Sequence, residues 1–361
     1  MPKVRIEEIA DLANVSIGTV DRALHGRKGI SEKTRRRVLK IASELGYKPN
    51  LAARALSVGQ AVLRIGICIP REIHFFYDQL RSGMLTEAAR YNPLGVEVLY
   101  QPVERLGEGE DERVRELIAS GVRALLITPG NPQRLAPLIE EAERNGVRVI
   151  CVASDAPGTH RSTAVCVDPA LNGRLAAELM GKFCLPESQV GIVTGMLTVE
   201  DHRLKAQGFI EQFPKFCPGG KVVEVLEGHE DEDETFQKSF DLLRARGNLH
   251  GLYVTTVNCL PVCRALGARG DHGKIKLITT DLFKEMSPYF QKGTIFASIY
   301  QRPYFQGQTA VRLVVDHLLN GRQLPASYHL NPAIAMRTNL HLFREMRQTE
   351  TSDGSGPASL S

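Results

Sequence analysis

Polar and aromatic side chains that could hold a small ligand recur in this sequence directly after short apolar runs. Phe75 and Phe76 follow the run 63–69, Thr128 closes the run 124–128, and Asp155 follows 148–152. In the second half Thr255 and Asn258 follow 251–254, Asp281 follows 276–279, and Gln301 follows 295–300. Aromatic rings can cover the apolar face of a sugar while acids, amides and hydroxyls pair with its hydroxyl groups. The plain alternative is that these residues are loop and capping residues with no ligand. A second set lies near the N-terminus, in Ser16, Ile17, Gly18, Thr19, Asp21 and Arg22. There Arg22 can bond guanine O6 and N7 together, Ile17 can touch a thymine methyl, and the Ser16 and Thr19 hydroxyls suit phosphate. Enzyme chemistry finds little support. No GxGxxG follows a strand, no P-loop, GxSxG or HExxH is present, and the acidic run 230–234 reads as a solvated helix start. Seven scattered cysteines without a CxxC read as small buried hydrophobes in a reducing compartment, so neither metal nor cofactor is expected.

The elements that must position these residues differ between the two ends of the chain. Residues 1–60 carry twelve Lys or Arg against six acids, a net +6, which leaves −2 for the remainder of a chain whose total is +4. A basic head on a near-neutral body is the charge pattern of a nucleic-acid-binding module fused to something else, although a solvated helical face could also produce it. Apolar spacing predicts three short helices in the head. The first runs from Ile6 to Ala13, a turn follows at Asn14, the second runs from Ile17 to Leu24, and the third starts after Ser31. That spacing suits a helix-turn-helix whose second helix enters the major groove. From residue 62 onward apolar runs alternate with helical stretches such as 78–90, 133–145 and 169–183. The fold class is therefore α/β, with parallel sheets covered by helices, and more than eight strands imply two such sheets. Ligands of open α/β sheets bind beyond the carboxyl ends of the strands, where the polar residues named above stand.

The stretch VRIEEIADLANVSIGTVDRALHGRKGISEKTRRRVLKIASELGYKPNLAARAL resembles the N-terminal region of the lactose-repressor (LacI/GalR) family of bacterial transcription regulators. Two departures stand out. Asn14 replaces the common turn glycine, and Asp21 replaces the usual serine before Arg22. The resemblance implies a hinge helix over the segment starting at Asn50, with small Ala53 at a close helix–helix approach and Leu56 as an apolar wedge in the minor groove. It also implies a ribose-binding-like periplasmic-binding fold for the body. The family's effector-contacting aspartates then correspond to Asp155 and Asp281, and its arginine to Arg203, with Lys205 second. The family's usual Asn-Asp after the run 251–254 is replaced by Thr255, Thr256 and Asn258.

The expected organisation is a helix-turn-helix head over 1–46, a hinge over 47–60, and an effector-binding and dimerisation domain over 61–346, with a disordered tail over 347–361. Its two doubly wound α/β subdomains are expected at about 61–160 plus 295–325 and about 161–294 plus 326–346. The expected function is a homodimeric, DNA-binding transcriptional regulator, a repressor in its simplest form. Its partners are a pseudo-palindromic double-stranded operator and a small effector, a sugar or sugar derivative. A solute-binding protein for sugar transport or sensing is the alternative. The opening MPKVRIEEIADLA lacks the apolar core of a signal peptide, which favours the regulator and a cytoplasmic location.

Overall fold

Ser31 starts the longest helix of the head by accepting the Thr34 backbone N–H on its hydroxyl at 3.1 Å, the N-cap arrangement its side chain favours. The computed structural model describes residues 6–24, 29–45 and 62–343. In the head α1 (Ile6–Ala13), α2 (Ile17–Leu24) and α3 (Glu32–Glu44) enclose a small core of Ile9, Ala10, Ala13, Val20, Ala23, Val38 and Ala42. The turn between α1 and α2 places Asn14 at φ 48°, a left-handed conformation that Asn tolerates better than most side chains.

The body is built on two six-stranded sheets. The first has the order β11-β5-β4-β3-β1-β2, from β1 (Leu63–Cys68), β2 (Val96–Tyr100), β3 (Ala124–Ile127), β4 (Arg148–Val152), β5 (Thr163–Val167) and β11 (Ser327–Leu330). The second has the order β12-β10-β9-β8-β6-β7. Its strands are β6 (Gln189–Thr194), β7 (Lys221–Glu227), β8 (Leu249–Val254), β9 (Lys276–Thr280), β10 (Ile295–Tyr300) and β12 (Ala333–Ala335). Every pairing is parallel except β10 with β12. Helices cover the faces, as parallel strands buried on both sides require.

Sheet membership corrects the expected division of the body. Thr163–Val167, expected in the second unit, pairs in parallel with β4 in the first. Ile295–Tyr300, expected in the first, pairs with β9 in the second, and Ser327–Leu330 returns to the first beside β5. The chain thus passes between sheets after β5, after β10 and between β11 and β12. Both sheets are built mostly from short apolar strands, so residue type does not mark which sheet each joins.

Two helix pairs pack at backbone contact, and both border the space between the sheets. The pairs are α4 (His74–Ala89) with α12 (Pro303–Asn320), and α7 (Pro169–Phe183) with α8 (Glu200–Phe216); the intervening helices are α5 (Glu110–Ala119) and α6 (Pro132–Arg144) before α7, and α9 (Glu232–Ala245), α10 (Leu260–Arg269) and α11 (Ser287–Gln291) after α8. A Cβ on Gly83 would lie 2.0 Å from the Tyr304 carbonyl oxygen, and one on Gly173 would lie 2.0 Å from that of Lys205. Gly83→Ala and Gly173→Ala should each destabilise by about 1–3 kcal/mol or more, because backbone has to move. Gly247→Ala, with nothing within 4 Å of its Cβ, is the control in the same urea melts; equal stability of all three variants would refute the close approach.

Candidate functional site

The carboxyl ends of the two sheets face each other across a partly open cavity. From the first sheet's side come Phe76 and Tyr77 of α4, Leu106, Thr128 after β3, and Ala153 and Ser154 after β4. From the second come Asp201, His202 and Lys205 of α8, Glu230 after β7, Thr256 after β8, Asp281 after β9 and Gln301 after β10. Backbone strain concentrates here. Ile73, Ala153, Glu230 and Asp281 all line the cavity with φ between 54° and 69°, a region that non-glycine residues, and β-branched Ile above all, rarely occupy. The fold holds these turns against local preference, and in doing so aims the Glu230 and Asp281 side chains inward.

The cavity is densely polar. Lys205 is 1% exposed and donates from Nζ to Asp201 Oδ2 at 2.5 Å. One helical turn separates the two, so they share a face of α8. Asp281 accepts the Gln301 backbone N–H on Oδ1 at 2.9 Å and the Gln301 side-chain amide on Oδ2 at 2.7 Å. Burial nevertheless pushes its carboxyl up to about 6. His202 accepts the Met196 N–H on Nδ1 at 3.1 Å, which leaves Nε2 to carry the proton. Burial, then the Lys205 charge, lowers its pKa to about 3, so the ring is neutral. Its Nε2 faces Glu230 Oε1 at 3.8 Å, beyond hydrogen-bond reach. Burial, then the Glu72 carboxylate, pushes Glu230 up to about 8.

Four buried polar atoms on this lining have no protein partner: Thr128 Oγ1, Ser154 Oγ, Asp201 Oδ1 and Glu230 Oε1. Buried polar groups are normally paired, because an unpaired one keeps its desolvation penalty. Four on the lining of one cavity, contributed by both sheets, are polar groups that a ligand could pair with.

Of the side chains that sequence reasoning assigned to the ligand, Phe76, Thr128, Lys205, Asp281 and Gln301 line this cavity. Five others are directed elsewhere. Phe75 stacks on Phe283 with ring centroids 4.0 Å apart. Asp155 is held by the Arg161 guanidinium and by the Ala156 N–H, while its neighbour Ser154 faces the ligand space. Arg203 is half-exposed and bonds Glu200 at 2.7 Å and Gln207 at 3.2 Å. Two residues along a helix turn a side chain by about 200°, so Lys205 points inward where Arg203 points out. Thr255 bonds Thr194 at 2.6 Å, and Thr256 takes the cavity position. Asn258 donates to Thr235 Oγ1 at 3.2 Å. The acidic run 230–234 is also corrected. Asp231 does cap the helix Glu232–Ala245, but the Glu230 side chain ahead of it is wholly buried in the cavity. Asp201 and His202 stand outside the expected ligand set; the i,i+4 spacing of Asp201 and Lys205 is the signal in the sequence that pairs them.

In the head, Ser16, Ile17, Gly18 and Arg22 are exposed along one side of α2, and Thr19 and Asp21 are half-buried at its edges. Ser16 accepts the Thr19 N–H at 3.2 Å and shares a 2.9 Å hydrogen bond with the Thr19 hydroxyl, which fixes the start of that helix. Ile17 is 48% exposed, although it is a large apolar residue. Asn50, Ala53 and Leu56, with the hinge and tail segments, lie outside the described residues.

Residues 5–50 match the model of bacterial regulatory proteins of the lacI family, and residues 65–323 match the periplasmic binding protein domain. The chain belongs to the lacI family of bacterial regulatory proteins. This LacI-family protein is 27% identical to catabolite control protein A of Priestia megaterium over 165 residues, 46% of this chain and 48% of that one. It is 34% identical to the HTH-type transcriptional regulator AglR of Rhizobium meliloti over 123 residues, 33% of each chain. The alignments thus span about half or less of these curated relatives' length. The LacI-family protein also shares its fold with a Burkholderia graminis solute-binding protein solved in complex with D-arabinose, with a TM-score of 0.71 at 23% identity over 78% of this chain and 97% of that one. Among the described residues no helix is long and apolar enough to cross a membrane.

Proposed function

We propose that this LacI-family protein is a transcriptional regulator that binds a pseudo-palindromic DNA operator as a homodimer, with its affinity set by a sugar-type effector in the cleft. The observation that carries this reading is the set of four unpartnered polar atoms in a cavity between two sheets, on a chain whose N-terminal helix-turn-helix exposes a polar and apolar face. Arg22 and Ile17 are the base-reading candidates, while Ser16 and Thr19 position the helix on phosphate. Gly18 leaves open space, since the nearest atom to its Cβ position is 3.9 Å away.

Several contacts join the two sheets' helices and loops around the cavity. Phe75 stacks on Phe283, Gln79 donates to the Leu282 carbonyl at 3.3 Å, and Tyr300 donates to Gln79 Oε1 at 3.3 Å. A ligand that bonds both walls favours the closed arrangement by its differential affinity, and coupling of this kind amounts to about 1–3 kcal/mol in typical cases.

The test is a gel shift of the full chain on the DNA upstream of its own gene. The expected result is sequence-selective binding that weakens with salt. Equal binding to any duplex, or none, would sink the proposal. Arg22→Ala should lose about 1–3 kcal/mol on the selected site and relax discrimination at one base pair per half-site. A uniform loss across all sequences would instead make Arg22 a phosphate contact.

A further inference from the structure

The charges lining the cleft do not balance. Asp201, Glu230 and Asp281 are three buried carboxyl groups, and among the described residues Lys205 is the one cationic side chain on the lining. Lys205 is already held by Asp201 at 2.5 Å, and His202 is neutral. Asp281 is satisfied by amide donors from Gln301. Glu230 is different: its side chain is wholly buried, Oε2 receives one long hydrogen bond from Thr256 at 3.3 Å, and Oε1 has no partner. The unpartnered Asp201 Oδ1 lines the same cavity, and so do the unpartnered hydroxyls of Thr128 and Ser154.

A neighbouring recess repeats the imbalance. A solvent-open recess ending at Glu230 is lined by Glu72, Glu104, Asp231, Glu232 and Asp233 against Arg71 and Arg105. Arg71 is paired with Glu104 at 3.1 Å, and Arg105 lies 3.8 Å from Glu72 and 4.0 Å from Asp231. An acid-lined recess beside the cavity concentrates cations and repels anions. A buried carboxylate without a counter-charge is strongly disfavoured unless the ligand supplies one.

Resting on the reading of this cleft as a sugar-type site, we propose that its ligand is a polyhydroxylated molecule bearing an ammonium group, an amino sugar or amino polyol, whose nitrogen is held by Glu230. Thr128, Ser154 and Gln301 then pair with its hydroxyls, and Phe76 and Tyr77 cover its apolar face. Sugar acids and sugar phosphates are excluded by the same charges.

The test is calorimetric titration of the full chain at pH 7 with matched sets: D-glucosamine, D-glucose and D-glucuronate; D-galactosamine, D-galactose and D-galacturonate; glucamine and sorbitol. The expected result is that at least one amine binds ten-fold or more tighter than its neutral counterpart, with no binding of the acids. Glu230→Gln should reduce that preference to less than two-fold. Neutral compounds that bind as well as amines, acids that bind, or a preference that survives Glu230→Gln would each overturn the amine and leave the polyol cleft standing. Absence of binding by every compound would overturn both.

Discussion

Lys205→Met should destabilise the body by about 3–5 kcal/mol, the range for removing one partner of a buried ion pair. Lys205 is 1% exposed, and its Nζ is the cationic partner of Asp201 at 2.5 Å. Asp201 Oδ1 is already without a partner, so the variant leaves the whole carboxyl buried and unpaired. Burial raises the Asp201 pKa, so part of the penalty is relieved by proton uptake and the loss should be smaller in acid than at neutral pH. The double variant Asp201→Leu with Lys205→Met removes both charges and should recover most of the stability without recovering ligand binding. Arg203→Ala, at the half-exposed position two residues earlier, should change stability by about 0.5 kcal/mol or less. Urea unfolding of the four proteins checks this, and a Lys205→Met variant as stable as the parent would show that the pair is not a buried one.

The unliganded protein should lose roughly 2 kcal/mol of stability between pH 6.5 and pH 8, and Glu230→Gln should abolish most of that loss. Burial and the Glu72 carboxylate raise Glu230 from 4.5 to about 8. The folded protein therefore keeps a proton that the unfolded chain has released, and the stability tied to it is full below about 4.5 and lost as pH rises towards 8. The slope approaches about 1.4 kcal/mol per pH unit while one proton separates the two states. Asp281, raised to about 6, tilts the same way but finishes below the window. His202, lowered to about 3, has the opposite sign, since its neutral form is favoured in the fold, and most of that gain is made by pH 6.5, with only a small part left within the window. Thermal melts of parent and Glu230→Gln at pH 6.5, 7.2 and 8.0 measure the difference, and parallel pH profiles would contradict the buried placement of this carboxyl. A bound ammonium compound should flatten the parent's profile, because it favours the ionised form.

Much of the local structure was legible. The head's first two helices start and stop where apolar spacing, Asn14 and Ser16 place them, and most strands lie on the apolar runs. These features depend on a few neighbouring residues, so local chemistry suffices. Inward direction at a strand end is another matter. Sequence position points to Asp155 and Thr255, whereas Ser154 and Thr256 line the cavity, in each case one residue away. A shift of one residue in an extended backbone reverses the face. Glu230 was hidden by its setting in an acidic run, where four further acids surround it and only its left-handed backbone turns it inward.

The sequence by itself determined the helix-turn-helix, the alternation of strands and helices, and the position of polar residues after strands. Each follows from side-chain type and periodicity over short distances. Only the tertiary structure decided which sheet Thr163–Val167, Ile295–Tyr300 and Ser327–Leu330 join, that Lys205 rather than Arg203 faces the cleft, and that Glu230 is a buried acid. These depend on which elements meet across long stretches of chain. A carboxylate at the start of a helix is an ordinary surface group until another sheet closes over it and removes the water.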